Sequence, residues 1–592
     1  MKYLAAILLF ILLSCENSEM SKQIKSPNIV LILADDQGWG DLSIHGNNDV
    51  STPHIDHLFQ SGTEFQNFYV SPVCSPTRAE LLTGRYHVRS GVYSTSAGGE
   101  RLDLDEETIA EVFSRAGYRT GAFGKWHNGT QYPYHPNGRG FDEYFGFASG
   151  HWGHYFSPML EQNQEVVTGD GYLPDEITTK ALSFIDKSIQ DDRAFFAFIP
   201  YNTPHSPMQV PDKYWSKFED KKLIMSHPDQ TKSGLLHTRA ALAMMENIDD
   251  NVGRLMTHLE NQNILENTIV LFLSDNGPNG DRWNNCLKGR KGSTDEGGVK
   301  SPFAIQWKNT ISAHQKVESI SSAIDILPTL TDLARIPYQM QNSLDGISLK
   351  SQIMTEKDQM EDQNGGRYIY NYWRGHTSVR SQQYRLSSTD LLFDLVNDPC
   401  QQTDISKIDT EVFDQLVDAK QNWINTVLVE LETKDNRAFT IGHPSSRVDH
   451  LPARDGIATG ELERSNKYPN DSFWLNWKTN SDSIIWDVEV LEPGKFQASI
   501  FYTCKKENVG SRIKLTFKDK DIVAEVNQAH DPPLIGMNED RFPRAESYVK
   551  SFKEMDMGTI ELKKGIGHLI LSPDHFTGEE LIDFRLLLLR RV

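Results

Sequence analysis

Two uninterrupted apolar runs, each ending in acidic or amide side chains, restrict the fold more than any other feature of this chain. Asn28-Ile29-Val30-Leu31-Ile32-Leu33-Ala34 runs into Asp35-Asp36, and Thr268-Ile269-Val270-Leu271-Phe272-Leu273-Ser274 runs into Asp275-Asn276. Apolar runs rich in β-branched residues, without polar alternation, are the pattern of strands covered on both faces in a parallel sheet. Ala194 to Ile199 gives a third such run, and Ala240 to Leu259 repeats its apolar residues at helical spacing. Buried strands alternating with helices predict an α/β sheet whose ligands gather at the carboxyl ends of the strands. The two polar pairs are therefore expected to meet in space.

The 592 residues exceed a single core and imply two or three domains. Residues 1–26 read as an export signal and polar tether: one lysine, then an apolar run shorter than the roughly 20 residues that span a bilayer as a helix. Its ending, Leu12-Leu13-Ser14-Cys15, resembles the lipobox of bacterial lipoproteins. That implies lipidation of Cys15, a place in the bacterial cell envelope, and membrane attachment through the lipid alone. The α/β domain is assigned to 27–362. Short strands at Tyr368 to Tyr372, Ser378 to Arg380 and Tyr384 to Leu386, with a helix from about Thr410 to Glu432, predict a small antiparallel subdomain over 363–432. Residues 433–454 lack periodicity and read as a linker. Short strands separated by turn residues from 455 to 592 predict a separate all-β sandwich, an accessory domain in which Trp474, Trp477 and Trp486 are offered as glycan contacts, although core is the commoner fate of such residues.

Sixty lysines and arginines against 81 acidic residues give a net charge of −21, which argues against nucleic acid as a partner and requires a local basic pocket for any anionic substrate. With Cys15 lipidated and Cys74 set apart, Cys286, Cys400 and Cys504 allow at most one disulfide. Asp35, Asp36, Asp275 and Asn276 offer only oxygens. Adjacent carboxylates repel unless a cation or proton separates them, and hard oxygen donors without clustered histidines favour Ca²⁺ or Mg²⁺ over zinc.

Cys74-Ser75-Pro76-Thr77-Arg78, followed by Leu82-Thr83-Gly84-Arg85, resembles the signature of the cysteine-type formylglycine-dependent sulfatases. The resemblance extends to Gly124-Lys125-Trp126-His127, Thr203-Pro204-His205-Ser206-Pro207, Ser274 to Gly277, Gly289 to Gly298 and Leu392 to Pro399, and so covers roughly residues 27 to 430. It implies an alkaline-phosphatase-like mixed sheet flanked by helices. It also implies one Ca²⁺ held by Asp35, Asp36, Asp275 and Asn276 together with the group at position 74, and a maturation enzyme that converts Cys74 to formylglycine. In the family pattern Arg78 holds the formylglycine oxygen, Lys125 and Lys291 clamp the sulfate, His127 is the base for the elimination, and His205 is the acid toward the leaving oxygen. As isolated residues these lysines and histidines would be solvated heads and satisfied structural groups, so the motif context alone raises them.

Asn128 and Lys300 depart from the family's usual residues, and neither is expected to touch a catalytic position. The loop Gly150 to Tyr155, with His154, and the segment Trp373 to His376, with Arg374 and His376, carry groups suited to the mouth of a sugar site. The expected substrate is a sulfated carbohydrate, an algal-type polysaccharide such as ulvan being the named candidate. The alternatives are a phosphodiester or phosphonate ester hydrolase on the same scaffold, and an inactive glycan-binding protein.

Overall fold

The computed structural model describes residues 26–227, 229, 231–338, 341–354, 366–432 and 435–592, so Cys15 and the lipobox lie outside the described residues. The centre is a ten-stranded mixed sheet. In chain order its strands are β1 (Asn28–Ala34), β2 (Thr63–Phe65), β3 (Arg119–Lys125), β4 (Glu143–Phe147), β5 (Met159–Gln162), β6 (Glu165–Thr168), β7 (Phe195–Pro200), β8 (Thr268–Ser274), β9 (Phe303–Trp307) and β10 (Gln315–Val317). They are ordered β10-β2-β9-β8-β1-β7-β3-β4-β5-β6.

Strand β1 shows why the apolar runs belong here. Val30, Ile32 and Ala34 enter one core, and Ile29, Leu31 and Leu33 the other. A strand alternates its side chains, so only an unbroken apolar run can serve two cores at once. Each buried valine, leucine or isoleucine here is worth about 1.5–3 kcal/mol of burial. Helices α2 (Leu173–Gln190) and α3 (Lys232–Asn261) cover the first face. The second face is covered by α4 (Ile326–Leu333) and α1 (Cys74–Thr83). The parallel register of β1 with β8 sets Ala34 opposite Ser274, and with β7 sets Leu33 opposite Pro200. Both polar pairs and the His205 loop therefore leave the same edge of the sheet.

Residues 366–432 form the expected subdomain: an antiparallel sheet of Ile369–Trp373, His376–Arg380, Tyr384–Leu386 and Leu392–Asp394, closed by α5 (Thr410–Thr426). The Cys286–Cys400 disulfide ties this subdomain to the segment that carries Lys291, while Cys504 stays a buried free thiol.

The C-terminal region is all-β, two sheets enclosing their own core, but it corrects the expected boundaries. The stretch read as a linker carries Phe439–Ile441 and Val448–Pro452, which pair with Ser483–Val490 and Asp583–Arg591 respectively. The sandwich therefore starts before residue 455. Nor does it stand apart. Arg454 pairs with Glu100 at 2.6 Å and donates to Thr130 Oγ1 at 2.7 Å, and Arg437 pairs with Asp103 at 2.8 Å. Trp477 and Trp486 are fully enclosed and Trp474 nearly so, their indole N–H groups donating to backbone carbonyls of Asp482, Pro452 and Ala453. These tryptophans are core and offer no glycan contact. Among the described residues no helix is long and apolar enough to cross a membrane.

Candidate active site

The strand ends assemble a buried charge cluster. Lys125, the last residue of β3, donates to Asp35 Oδ2 at 2.8 Å, and Lys291 donates to Asp36 Oδ1 at 2.5 Å. Arg78, in the second turn of α1, donates to Asp275 Oδ2 through Nη2 at 2.8 Å and Nε at 3.2 Å, and through Nη1 to the Lys125 carbonyl at 2.5 Å. Asn276 Nδ2 donates to Asp36 Oδ1 at 2.9 Å. Cys74 is the first residue of α1, almost fully buried, and α1 ends at Gly84 in the left-handed region with φ 70°. A helix start presents unpaired N–H groups and the positive end of the macrodipole, which suits an anion at position 74.

The donor set fits a hard cation. Ligand atoms of Asp35, Cys74 and Asp275 lie within 4.8 Å of one another. Asp35 Oδ1, Asp36 Oδ2 and Asn276 Oδ1 are buried oxygens without a hydrogen-bond partner. Burial and the neighbouring Asp35 carboxylate push Asp275 well above the ordinary carboxyl range, against the pull of Arg78. Burial would raise Asp35 too, but Lys125, then His205, Arg78 and Lys291, hold it below that range. Packed carboxylates with orphaned oxygens are what a divalent ion stabilises.

Two histidines flank the cluster. His127 sits at φ 69°, a strained backbone for a non-glycine residue, and lies against Gly150, where a Cβ would come within 2.1 Å of Nε2. Its Nε2–H donates to the Thr95 carbonyl at 2.9 Å, which leaves Nδ1 as a lone pair. Burial, then Lys125, holds its pKa well below the usual imidazole value, so it is neutral at pH 7. His205 donates from Nδ1 to the Ser206 carbonyl at 2.6 Å and presents Nε2 to Asp36 Oδ2 at 3.8 Å.

The motif residues Asp35, Asp36, Cys74, Arg78, Lys125, His127, His205, Asp275, Asn276 and Lys291 are thus brought into one cluster. Substrate-mouth candidates are placed differently. His154 faces a cavity of about 210 Å³ between the α/β and C-terminal domains, lined also by Ile535, Val549 and Phe552. Arg374 and His376 lie exposed at a hairpin tip, and among the described residues neither bonds to the cluster. Sequence reasoning missed Arg282, which donates to the Asp36 carbonyl at 2.5 Å while paired with Asp41 at 2.8 Å; no motif announces it. Asn128, expected to touch no catalytic position, donates to the carbonyl of Ser75, the neighbour of Cys74, at 3.3 Å.

Residues 27–336, more than half of the chain, match the family model described as Sulfatase. The chain belongs to the sulfatase family. It is 33% identical over 395 residues to N-acetylgalactosamine-6-sulfatase of Mus musculus, spanning 61% of this chain and 71% of that protein. To the ulvan-active sulfatase of Formosa agariphila it is 30% identical over 447 residues, 71% of this chain and 86% of that one. The crystal structure of Ps i-CgsB in complex with k-i-k-neocarrahexaose superposes with a TM-score of 0.61 at 31% identity, covering 67% of this chain and 92% of that chain. Membership makes this sulfatase a sulfuric ester hydrolase, and the cationic groups around Cys74 supply the local basic pocket that a chain of net charge −21 needs.

Proposed function

We propose that this sulfatase hydrolyses sulfate esters of a sulfated carbohydrate, with Cys74 converted to formylglycine by a maturation enzyme and Ca²⁺ held by Asp35, Asp36, Asp275 and Asn276. The observation that carries the reading is the convergence of Arg78, Lys125 and Lys291 with the orphaned oxygens of Asp35, Asp36 and Asn276 around the first residue of α1. The formylglycine hydrate would supply an oxygen nucleophile, and the cation a Lewis acid for a sulfate oxygen.

The chain's own residues do the rest. Lys125 and Lys291 hold sulfate oxygens while their partner carboxylates keep both ammonium groups in place. Arg78, fixed by Asp275 and the Lys125 carbonyl, orients the side chain at position 74. His127 Nδ1 takes a proton, its ring held by Thr95, and His205 Nε2 delivers one to the departing alcohol oxygen. General acid and base groups of this kind each contribute about 10²–10⁴-fold. Carbohydrate as the substrate class is supported by the relatives named for N-acetylgalactosamine 6-sulfate and ulvan, and by the neighbour bound to neocarrahexaose.

Peptide mass spectrometry of active enzyme is expected to find the aldehyde or its hydrate at Cys74, and Cys74→Ala and Ca²⁺ chelation are each expected to abolish turnover. Equal activity of the alanine variant, or of metal-free protein, would overturn this chemistry. Faster cleavage of a phosphate ester than of the sulfate ester of the same alcohol would favour phosphoryl transfer instead.

A further inference from the structure

Beside the sulfate cluster lies a second group of polar side chains, one of them carried in by the C-terminal domain. Residues 536–548 of that domain clamp the His205 loop. Gln209 Nε2 donates to the Gly536 carbonyl at 3.0 Å and to Asp540 Oδ1 at 2.9 Å, Arg541 N donates to the Met208 carbonyl at 2.9 Å, and the edge of Phe542 meets the His237 ring at 5.1 Å. Arg544, paired with Asp540 at 2.5 Å, also reaches the Gly153 carbonyl. The clamp delivers Glu546, whose Oε2 accepts from Ser206 Oγ at 2.9 Å. Its Oε1 accepts from no other described residue.

His151, on the loop after β4, completes the group. Its ring lies 5.7 Å from that of His205, and it is only 4% exposed. Both of its nitrogens are buried without a partner. An imidazole this buried with neither nitrogen bonded is costly, and it presents one donor and one acceptor to whatever fills the space. Burial pushes its pKa down to about 3, so the ring is neutral in that role. Burial would raise the Glu546 carboxyl, but the His205 ring and the bond from Ser206 Oγ favour its ionised form, and it lies below the usual carboxyl value. A carboxylate acceptor and a neutral donor-acceptor pair, set on the His205 side of the sulfate cluster, match a ring of alcohol groups and have nothing to offer an aromatic leaving group.

We propose that Glu546 and His151 form a sugar-binding subsite in which they bind hydroxyl groups of the sugar unit that carries the sulfate, so that the C-terminal domain takes part in choosing the leaving group. This rests on the carbohydrate reading given above. A site built to bond a hydroxyl rejects an analogue lacking it far more strongly than an apolar pocket rejects a change of size.

The test measures kcat/KM of the matured full-length enzyme, Glu546→Gln, His151→Ala and Ser206→Ala on 4-nitrophenyl sulfate and on a panel of sulfated monosaccharides and disaccharides, with melting curves to confirm folding. The sugar-to-aryl ratio of kcat/KM is expected to fall about tenfold or more in Glu546→Gln and in His151→Ala. Equal losses on both substrate types would overturn the subsite while leaving the carbohydrate reading intact. The same ratio change in Ser206→Ala would also overturn it, by showing that Glu546 acts through the serine. An enzyme active on the aryl ester and on no sulfated sugar would remove the carbohydrate reading and the subsite together.

Discussion

Glu80, two residues beyond Arg78 in α1, shows how tightly the residues behind the site are enclosed. Burial pushes its carboxyl up to about 8, against the bonds it accepts from His87 N and Ser71 Oγ. In the unfolded chain the same group ionises near 4.5. Between those values the folded protein holds a proton that the unfolded chain has lost, so stability is full below about 4.5 and falls as pH rises toward 8. Glu80→Gln keeps the acceptor and removes the titration. Its melting temperature is expected to decline by a few degrees less than the parent's between pH 5 and pH 8.5, and identical pH profiles would show that Glu80 does not titrate in this window. At this scale the motif residues were legible because each sits at or near a strand end or helix start that its own local sequence announces. Arg282 and Glu546 were not, because their partners Asp41 and Ser206 are distant in the chain and no local pattern joins them, whereas His151 belongs to the loop Gly150 to Tyr155 already read as suited to a sugar site.

Among the elements, the small antiparallel sheet braces the Lys291 segment. Arg385 donates to the Thr294 carbonyl at 3.0 Å and pairs with Asp295 at 2.8 Å, Arg380 pairs with Glu296, and the Cys286–Cys400 bond closes the arrangement. Lys291 therefore points at Asp36 from a loop held at both ends. The double variant Cys286→Ser/Cys400→Ser is expected to lose on the order of 2–5 kcal/mol of stability and to show a KM raised severalfold, with a smaller change in kcat. An unchanged melting temperature in that variant would show the disulfide to be dispensable. Strands β1, β7 and β8 were readable from their unbroken apolar runs. Phe439–Ile441 and Val448–Pro452 were not, since three to five residues among glycine, proline and charge carry too little period, and their pairing partners lie about 50 and 140 residues away.

For the whole molecule, the C-terminal domain is part of the enzyme's construction. Arg454 and Glu100 are both buried, and removing one member of such a pair strands the other charge. Asn470 donates to the Thr95 carbonyl at 3.0 Å, the same oxygen that accepts from His127. A chain ending at Glu432 is therefore expected to melt at least several degrees lower and to lose turnover of a small aryl sulfate as well as of larger substrates. Full aryl activity with an unchanged melting temperature would show that the domain is separable after all. The all-β character of this region was legible, but its docking was not, because contacts between domains leave no periodicity in either partner.

The position of Asn470 and Glu546 late in the chain also has a meaning in time. Ribosomes release a protein N-terminus first, at about 5–20 residues per second. Asn470 and Glu546 follow Cys74 by about 400 and 470 residues. The segment around Cys74 thus exists for on the order of 20–90 s before the groups that close in on His127 and His205 have been made. Chain order alone supplies an interval in which a modifying enzyme can reach a cysteine that ends up almost fully buried. Nascent chains arrested near residue 432 are expected to carry the proposed formylglycine at Cys74 as fully as completed ones, as read by mass spectrometry; unmodified arrested chains beside modified completed ones would place the conversion after the C-terminal domain is made.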